Sequence, residues 1–295
     1  MYTNNTKIFG ILGFPLGHTL SPWIHNTLFE LSKYNGVYLV FERSDWPIIG
    51  LDSLKTIGVK GLSVTIPYKE FAFRVANEAC LASQTMKAAN TLLISENHIQ
   101  AKNTDGEGAL RSILEKDTKL LSAKDSSSVL ILGSGGSAKG IVYALNQYLE
   151  SQNTNKINKN IRIFARNESA VQEIINSVGG NHLVSSISKE ELYSIRKNFS
   201  LIVHTSPLGM KGIEGEPMLS GDFFNKHQSL FDIVYNPLET ELVKLAKKKK
   251  TQIIPGYSML LYQGIRQFEY FTDMEVKQKW ISKIEKILYQ KLKSK

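Results

Sequence analysis

The sequence predicts an α/β protein with two domains, and three observations support this fold class. Short β-rich runs alternate with helically spaced apolar residues along the chain, which is typical of parallel-rich sheets covered by helices. One apolar run ends in a glycine-rich turn at residues 133–136, and a helical segment follows it. The length of 295 residues suits about two domains. We expect an α/β domain at residues 1–105, a second α/β domain at 106–256, and C-terminal helices at 257–295 that return to the first domain.

The first domain is predicted to contain five strands with helices between them. Ile24, Leu28 and Leu31 recur at helical spacing and predict a helix between the first two strands. Because strands and helices alternate, we expect a mostly parallel sheet. The five predicted strands comprise residues 7–12, 37–41, 61–66, 91–94 and 99–103.

The second domain is predicted to begin with a helix from Gly106 to about Leu121 and to continue with five strands. The unbroken apolar character of these strands is typical of strands covered on both faces. A polar stretch at residues 151–160 predicts a surface loop, and helices are expected from Met259 to the end of the chain. The five predicted strands comprise residues 129–132, 161–164, 201–203, 230–234 and 252–254.

Composition restricts the class of protein further. Apolar residues make up 42% of the chain and charged residues 21%, which is typical of globular proteins and argues against disorder. Cys80 is the single cysteine, so an intrachain disulfide and a four-cysteine zinc site are excluded, and the cytoplasm is the expected compartment. No set of His, Asp and Glu has metal-ligand spacing, and no apolar run is long enough to span a bilayer. We therefore expect neither a metal nor a membrane partner.

The formal net charge of +9 suits an acidic ligand or a nucleic acid. Much of the excess lies in residues 247–250 and in the tail after Lys277, where apolar residues keep helical spacing and the lysines fall mostly between them. This pattern predicts an amphipathic terminal helix with a solvated basic face. Since no aromatic-interleaved basic motif accompanies the charge, we expect no nucleic-acid partner.

The strongest local signal is the segment VLILGSGGSAKG at residues 129–140, with a helix predicted at 138–149. In its G-x-G-x-x-A pattern, the first glycine makes a tight turn, the second lets a pyrophosphate approach the backbone, and the alanine allows close helix packing. The helix N-terminus favours the phosphate charge. The pattern therefore predicts a Rossmann-type dinucleotide site, with an ordinary strand-to-helix turn as the alternative. The candidate cofactor-binding residues are Gly133, Ser134, Gly135, Gly136, Ser137 and Ala138.

The end of the second Rossmann strand indicates which dinucleotide is bound. An acidic residue there accepts a hydrogen bond from the ribose 2′-hydroxyl of NAD, whereas a basic residue binds the 2′-phosphate of NADP. The strand at 161–164 is followed by Ala165, Arg166 and Asn167, with no acid among them. Arg166 therefore favours NADP, while a solvated surface arginine is the alternative and Glu168 lies nearby.

Six segments resemble motifs of the shikimate dehydrogenase family, in the same order and over nearly the whole chain. The resemblance implies a substrate domain followed by a Rossmann-type NADP-binding domain. It also implies NADPH-dependent reduction of 3-dehydroshikimate to shikimate. The matching segments are residues 13–26 (G-x-P-x-x-H-S-x-S-P-x-x-H-N in the family), 61–69 (G-x-N-V-T-x-P-x-K), 88–92 (A-x-N-T-L), 103–106 (N-T-D-G), 232–237 and 256–263.

The resemblance implies that Lys69 and Asp105 are the catalytic pair. Reduction of a ketone needs a proton on the developing alkoxide, and a lysine beside that oxygen can donate it. Asp105 would orient Lys69 and the reacting hydroxyl. Taken singly, Lys69 reads as a solvated charge and Asp105 as a helix cap.

The resemblance also implies a set of substrate-binding residues. Thr19 and Ser21 would bind the carboxylate; Ser21 before Pro22 also reads as a helix N-cap with proline at the first helical position. Asn90 alone reads as a turn residue at the start of a strand, and Gln263 alone as a helix surface residue. The resemblance implies that the ring hydroxyls are bound by Thr65, Asn90, Asp105 and Gln263. It also implies that the carboxylate lies near Thr19, Ser21 and Tyr235, and that Gly256 contacts the cofactor.

The chain departs from the family motifs at several positions. Ser63 and His204 stand where the family usually has Asn, and Thr19 where it usually has Ser. Of the family's N-R-T only Arg166 is kept, and Ala170 offers no second basic residue. Two alternatives thus stay open: a quinate/shikimate dehydrogenase using NAD or NADP, and a catalytically silent metabolite sensor, against which Lys69 and Asp105 argue. The expected partner is a small-molecule substrate, and the expected state is a monomer or a homodimer.

Overall fold

A computed structural model describes residues 2–122, 126–152, 159–180, 182–213 and 215–294. The chain divides into two compact units. Unit 1 comprises Met1–Asp105 and Leu260–Lys291, and unit 2 comprises Gly106–Met259 and Leu292–Lys295. In the described part of the chain, no helix combines the length and apolar character needed to cross a membrane.

Each unit contains one six-stranded sheet with helices packed against it. The strands are β1 (Lys7–Gly13), β2 (Gly36–Glu42), β3 (Val59–Val64), β4 (Glu78–Ala79), β5 (Thr91–Ile94), β6 (Ile99–Lys102), β7 (Ser128–Leu132), β8 (Ile161–Phe164), β9 (Val184–Ser186), β10 (Phe199–His204), β11 (Ser229–Asp232) and β12 (Gln252–Pro255). The helices are α1 (Ser21–Ser32), α2 (Trp46–Thr56), α3 (Lys69–Arg74), α4 (Leu81–Met86), α5 (Asp105–Lys116), α6 (Gly136–Ser151), α7 (Glu168–Ser177), α8 (Lys189–Ser194), α9 (Glu241–Lys248), α10 (Gly256–Thr272) and α11 (Gln278–Lys293).

The sheet of unit 1 has the order β2-β1-β3-β5-β6-β4 and is mixed. Strand β1 is parallel to both β2 and β3, with Phe9 opposite Tyr38 and Leu12 opposite Val64. Strand β5 is antiparallel to β3 and to β6. Strand β4 is parallel to β6, so three of the five strand pairs are parallel and the expectation of a mostly parallel sheet is confirmed. The antiparallel pair of β5 and β6 is joined by a short turn, whereas a parallel pair needs a long crossover.

The sheet of unit 2 has the order β12-β11-β10-β7-β8-β9, and all of its strand pairs are parallel. This is the strand order of the Rossmann fold, so the predicted fold class is confirmed. The packing of the central strand β7 explains why its sequence is apolar throughout. Val129 and Ile131 enter the apolar cluster on one face of the sheet, and Leu130 and Leu132 enter the cluster on the other.

The C-terminal helices pack largely in unit 1, as expected. Phe268 and Phe271 of α10 contact Phe29 of α1 and Phe9 of β1, with ring centroids 5.4 and 5.1 Å apart. Helix α11 is amphipathic, and the apolar residues Trp280, Ile281, Ile284 and Leu288 are buried. Most of the lysines between these residues are exposed, so much of the excess positive charge lies on a solvated helix face.

Several predicted boundaries differ from the structure. The helix expected to reach Leu121 ends at Lys116, because Asp117 caps a separate 3-10 turn by accepting a hydrogen bond from the Lys119 N–H. Strand β3 ends at Val64, since Thr65 begins a turn closed by the Tyr68 N–H. Strands β4 and β9 were not predicted, as they are only two and three residues long. Most of the predicted 151–160 loop lies outside the described residues.

Candidate active site

A lysine and an aspartate form a close ion pair in unit 1. Lys69 is the first residue of α3 and Asp105 the first residue of α5, and Lys69 Nζ lies 2.6 Å from Asp105 Oδ2. The Asp105 side chain is 12% exposed and that of Lys69 is 30% exposed. The pair is therefore held by the protein on most sides while the ammonium stays open to a ligand. Because the Asp105 carboxylate is paired with the Lys69 ammonium, its role is not limited to capping α5.

Asn90 connects this pair to the rest of the unit. It lies just before β5, it is 2% exposed, and its Nδ2 lies 2.8 Å from Asp105 Oδ1. Its Oδ1 accepts hydrogen bonds from the Thr91 hydroxyl at 2.8 Å and from the Thr104 N–H at 2.9 Å. Each carboxylate oxygen of Asp105 thus has its own donor, Nζ of Lys69 on one and the Asn90 amide on the other. Such charge-assisted bonds fix the carboxylate in position.

Gln263 of α10 contacts the same group. Its Oε1 lies 3.1 Å from Asn90 Nδ2, and its backbone carbonyl lies 3.3 Å from the Thr104 hydroxyl. Gln263 is half-buried, so it is not a simple helix surface residue. The structure thus brings together Lys69, Asn90, Asp105 and Gln263, from four separate segments of the chain.

Thr65 lies at the carboxyl ends of parallel neighbours β1 and β3. Its N–H donates to the Leu12 carbonyl at 2.9 Å, and the Phe14 N–H donates to the Ile66 carbonyl at 2.9 Å. These bonds connect the segment after β1, which carries Thr19 and Ser21, to the segment that leads into α3. The predicted hydroxyl residues therefore follow strands that end at one edge of the sheet.

The expected N-cap role of Ser21 is wrong. Helix α1 already includes Ser21, and the cap residue is Leu20, whose backbone is close to helical. The apolar side chain of Leu20 has no atom that could accept a cap hydrogen bond. Thr19 Oγ1 instead accepts from the Ser21 N–H at 3.4 Å. The chain enters the helix one residue earlier than the Ser-Pro pattern suggested, so the Ser21 hydroxyl is not used as a cap.

Tyr235 lies in unit 2, in the loop after β11. Burial raises the pKa of its hydroxyl above the usual value. Its place near a substrate carboxylate stays a prediction.

The glycine loop of unit 2 has the geometry that a pyrophosphate requires. Gly133 has φ +114°, and a Cβ built there would lie 2.7 Å from the Thr205 hydroxyl, so a side chain is excluded. At Gly135 and Gly136 a Cβ would enter open space, which leaves backbone at the start of α6 accessible. Ala138 is fully buried and allows close packing of the helix. The first-turn N–H groups and the helix dipole then favour a bound phosphate.

The carboxyl edge of the same sheet also borders a cavity. A cavity of about 660 Å³ adjoins the ends of β10 and β11 and is lined by residues that include His204, Met210 and Asn236. In Rossmann folds the ligand lies across this edge of the sheet. None of residues 133–138 lines this cavity, so the glycine loop is the part of unit 2 whose geometry fits a dinucleotide.

Beyond β8, the three predicted cofactor residues differ in their roles. Arg166 is exposed and forms no ion pair with any residue that the structure describes. Asn167 is the N-cap of α7, since its Oδ1 accepts from the Ala170 N–H at 3.1 Å and from the Ser169 hydroxyl at 2.8 Å. Ala165 packs against the apolar cluster of unit 2. Of the three side chains, that of Arg166 is the one available to a 2′-phosphate.

Gly256, the first residue of α10, is required by packing. A Cβ at this position would lie 2.6 Å from the carbonyl oxygens of Asp232, Ile233 and Val234. Such distances exclude any side chain. Its predicted contact with a cofactor stays a prediction.

The sequence patterns did not reveal two sets of side-chain hydrogen bonds, one around His204 and one around Gln267. His204 Nδ1 lies 2.9 Å from Asp232 Oδ1 and its Nε2 lies 2.6 Å from the Ser206 hydroxyl. The His204 ring and the Asp232 carboxylate are buried. His204 was noticed as a departure from the motif, but its partner lies in the next strand of the sheet. Gln267 is buried beside Asn90, and the one signal for it was its spacing of four residues from Gln263.

Comparison with known proteins gives consistent results. Residues 11–92 match the family described as the shikimate dehydrogenase substrate binding domain. The chain is 48% identical to shikimate dehydrogenase (NADP(+)) of Leptospira interrogans over 91% of this chain and 90% of that protein. It is 35% identical to the Oceanobacillus iheyensis protein of the same name, over 90% and 92%. A crystal structure of shikimate dehydrogenase in complex with NADP+ superposes with a TM-score of 0.80 at 29% identity, covering 96% of each chain.

Proposed function

The chain belongs to the shikimate dehydrogenase family, and from this premise we propose that it catalyses the reversible, NADPH-dependent reduction of 3-dehydroshikimate to shikimate. The observation that carries this proposal is the hydrogen-bonded cluster of Lys69, Asp105, Asn90 and Gln263 in the unit that holds the matched substrate-binding segment. In this role the enzyme acts in the biosynthesis of chorismate and the aromatic amino acids.

Lys69 and Asp105 supply the proton chemistry. NADPH, when bound, supplies the hydride to the carbonyl carbon, and the oxygen left behind needs one proton. Lys69 Nζ donates that proton and stabilises the negative charge that develops on the oxygen. Asp105 orients Nζ through its 2.6 Å contact, and in the oxidation direction the same pair accepts the proton from the hydroxyl.

Recognition of the substrate uses short polar side chains of unit 1. Thr65, Asn90 and Gln263 suit the ring hydroxyls, because hydroxyl and amide groups can both donate and accept. Thr19 and Ser21 suit the carboxylate, and the start of α1 adds a favourable dipole. We therefore assign the substrate to the domain formed by residues 1–105 with the C-terminal helices.

Unit 2 would hold the cofactor. The backbone of residues 133–138 binds the pyrophosphate, and the exposed Arg166 binds the 2′-phosphate that distinguishes NADP from NAD. The assignment of NADP is supported by the names of the relatives from Leptospira interrogans and Oceanobacillus iheyensis. We further propose a cytoplasmic enzyme that acts on a small molecule as a monomer or homodimer, without a nucleic-acid partner.

Spectrophotometry at 340 nm tests the proposal directly. The purified protein is incubated with shikimate or quinate, and with NADP or NAD, and formation of the reduced cofactor is recorded. We expect fast oxidation of shikimate with NADP and slower reactions in the other three combinations. Equal rates with quinate or with NAD would identify a quinate/shikimate dehydrogenase of broader specificity. Absence of any reaction, with shikimate binding still measurable by calorimetry, would identify a silent binding protein.

A further inference from the structure

Gln267 is a buried glutamine that uses its whole side-chain amide within unit 1. It lies one helical turn after Gln263 on the same face of α10 and is 3% exposed. Its Nε2 donates to the Asn90 carbonyl at 3.0 Å and to the Thr91 hydroxyl at 3.1 Å. Its Oε1 accepts from the Ser63 hydroxyl at 2.7 Å. Both N–H donors and the carbonyl are thus satisfied, as a buried amide requires.

These bonds determine the direction of the next hydrogen bond. A hydroxyl has one hydrogen to donate. Because Gln267 donates to the Thr91 hydroxyl, the single hydrogen of Thr91 remains for Asn90 Oδ1, 2.8 Å away. Together with the Thr104 N–H, which donates to the same oxygen at 2.9 Å, this bond makes Asn90 Oδ1 an acceptor and leaves Nδ2 facing Asp105 Oδ1 at 2.8 Å. If the Asn90 amide were flipped, its carbonyl oxygen would face the Asp105 carboxylate.

We propose that Gln267 is a positioning residue for the catalytic pair, acting through Thr91 and Asn90. The path runs from Gln267 to Thr91, to Asn90, to Asp105 and finally to Lys69, and each step is a hydrogen bond of 2.6–3.1 Å. Gln267 touches neither substrate nor cofactor in this role. The inference rests on the proposed function, because its kinetic consequence concerns proton transfer by Lys69.

The same contacts give a reason for the unusual residue at position 63. The family motif usually has Asn where this chain has Ser63, and the Ser63 hydroxyl donates to Gln267 Oε1. In this chain the amide that reaches Asn90 and Thr91 therefore comes from α10, while β3 supplies only a hydroxyl. An asparagine at position 63 combined with a small residue at position 267 would place the amide back on β3.

Steady-state kinetics of Gln267→Met and Thr91→Val test the proposal. Both variants keep the volume of the side chain and remove its hydrogen bonds. Since misplacement of a catalytic group by about 1 Å can cost on the order of 100-fold, we expect kcat to fall about 10- to 100-fold. We expect KM for shikimate to rise and KM for NADP to stay unchanged. The variant Ser63→Asn/Gln267→Ala should recover most of the lost kcat.

Gln228→Met is the matched control. Gln228 is a buried glutamine of unit 2, 2% exposed, whose amide bonds to the Arg196 carbonyl and to the Asn225 N–H. Its replacement should lower the melting temperature and leave kcat unchanged. If Gln267→Met and Thr91→Val lose stability but keep kcat and both KM values, Gln267 is structural and the proposal is overturned.

A crystal structure of Gln267→Met separates this proposal from the proposed function. We expect the Asn90 side chain to shift, with Nδ2 moving out of hydrogen-bond distance of Asp105 Oδ1, whatever reaction the enzyme catalyses. An unchanged Asn90 in that structure would refute the positioning role. If instead the wild-type enzyme does not oxidise shikimate while Asn90 shifts in the variant, the proposed function fails and the positioning of Asp105 stands.

Discussion

The two units of this protein build their parts of the proposed site by different means. In unit 2, the glycine loop offers backbone N–H groups and open space within a few consecutive residues. In unit 1, side chains meet from distant positions: Lys69 and Asp105 are 36 residues apart, and Asn90 and Gln263 are 173 apart. A backbone site follows from local conformation, so a motif describes it. A side-chain site depends on how separate elements pack.

The two units also differ in the surroundings of their buried histidines. His25 in unit 1 is fully buried and stacks on Tyr38, with ring centroids 4.1 Å apart, and burial lowers its pKa to about 3. His204 in unit 2 is equally buried but lies 2.9 Å from the Asp232 carboxylate. Burial keeps the His25 ring neutral, while the His204 ring lies beside a carboxylate.

Replacement of Lys69 should have the largest effect and tests whether unit 1 supplies the proton chemistry. For Lys69→Ala we expect kcat to fall on the order of 100-fold or more with little change in KM, because the lost interaction acts in the transition state. The matched control is Lys60→Ala, at an exposed lysine of β3. A Lys69→Ala enzyme within about threefold of the wild-type kcat would contradict the role of Lys69 as proton donor.

Replacement of Arg166 tests the one side chain on which the cofactor preference of unit 2 depends. The wild-type enzyme should prefer NADP over NAD, and Arg166→Ala should remove most of that preference, since an arginine–phosphate contact contributes about 1.5–3 kcal/mol. The measurement is the ratio of kcat/KM for the two cofactors. Arg162→Ala provides a control, as Arg162 is bound to Ser185 within the sheet. A wild-type preference for NAD would refute the assignment of Arg166.

His25 predicts a pH dependence of stability that belongs to unit 1. Its pKa is about 3 in the folded state and about 6.5 in the unfolded state. Above pH 6.5 neither state binds the proton; below it, only the unfolded chain does. The His25 contribution to the free energy of unfolding therefore falls by about 1.4 kcal/mol per pH unit as the pH drops from 6.5 towards 3.

Urea unfolding at several pH values between 5 and 7.5 measures this contribution. His25→Phe keeps a ring against Tyr38 and should show a shallower loss of stability towards pH 5 than the wild type. His227→Gln, at an exposed histidine, should keep the wild-type slope. Parallel slopes for wild type and His25→Phe would show that His25 is not kept neutral in the folded state.

The smallest effect is expected at Thr19. Quinate carries a hydroxyl on the carbon that bears the carboxylate, and the extra methyl of threonine would crowd that side of the pocket. One methyl contributes roughly 1–3 kcal/mol at most, so Thr19 should assist a preference for shikimate without creating it. The measurement compares shikimate and quinate oxidation by wild type and Thr19→Ser. An unchanged ratio would mean that the Thr19 methyl only fills space.

Much of the fold could be predicted because its signals are local. Strands β5 and β8 were predicted at their observed bounds, since each is a short run of strand-forming residues with clear limits. The antiparallel placement of β5 in the sheet of unit 1 was not predicted, because alternation of elements does not specify which strands become neighbours. The cap of α1 was misassigned for a related reason: Ser-Pro is compatible with two starting positions, and the backbone of Leu20 decided between them.

Two properties of this protein are determined by the sequence itself. The glycine loop and the arginine after β8 are encoded by adjacent residues, because the backbone conformation that presents a phosphate site needs only a strand, a glycine turn and a helix. The family motifs likewise marked Lys69 and Asp105 before any contact was known.

Only the tertiary structure decided how those residues are held. Ser63 and Gln267 are 204 residues apart and hydrogen-bond at 2.7 Å, and no local pattern specifies that contact. The direction of the Asn90 amide depends on donors and acceptors from α10, β5 and the segment before α5. Side-chain hydrogen bonds act over about 3 Å, so they exist only once the fold has brought distant elements together.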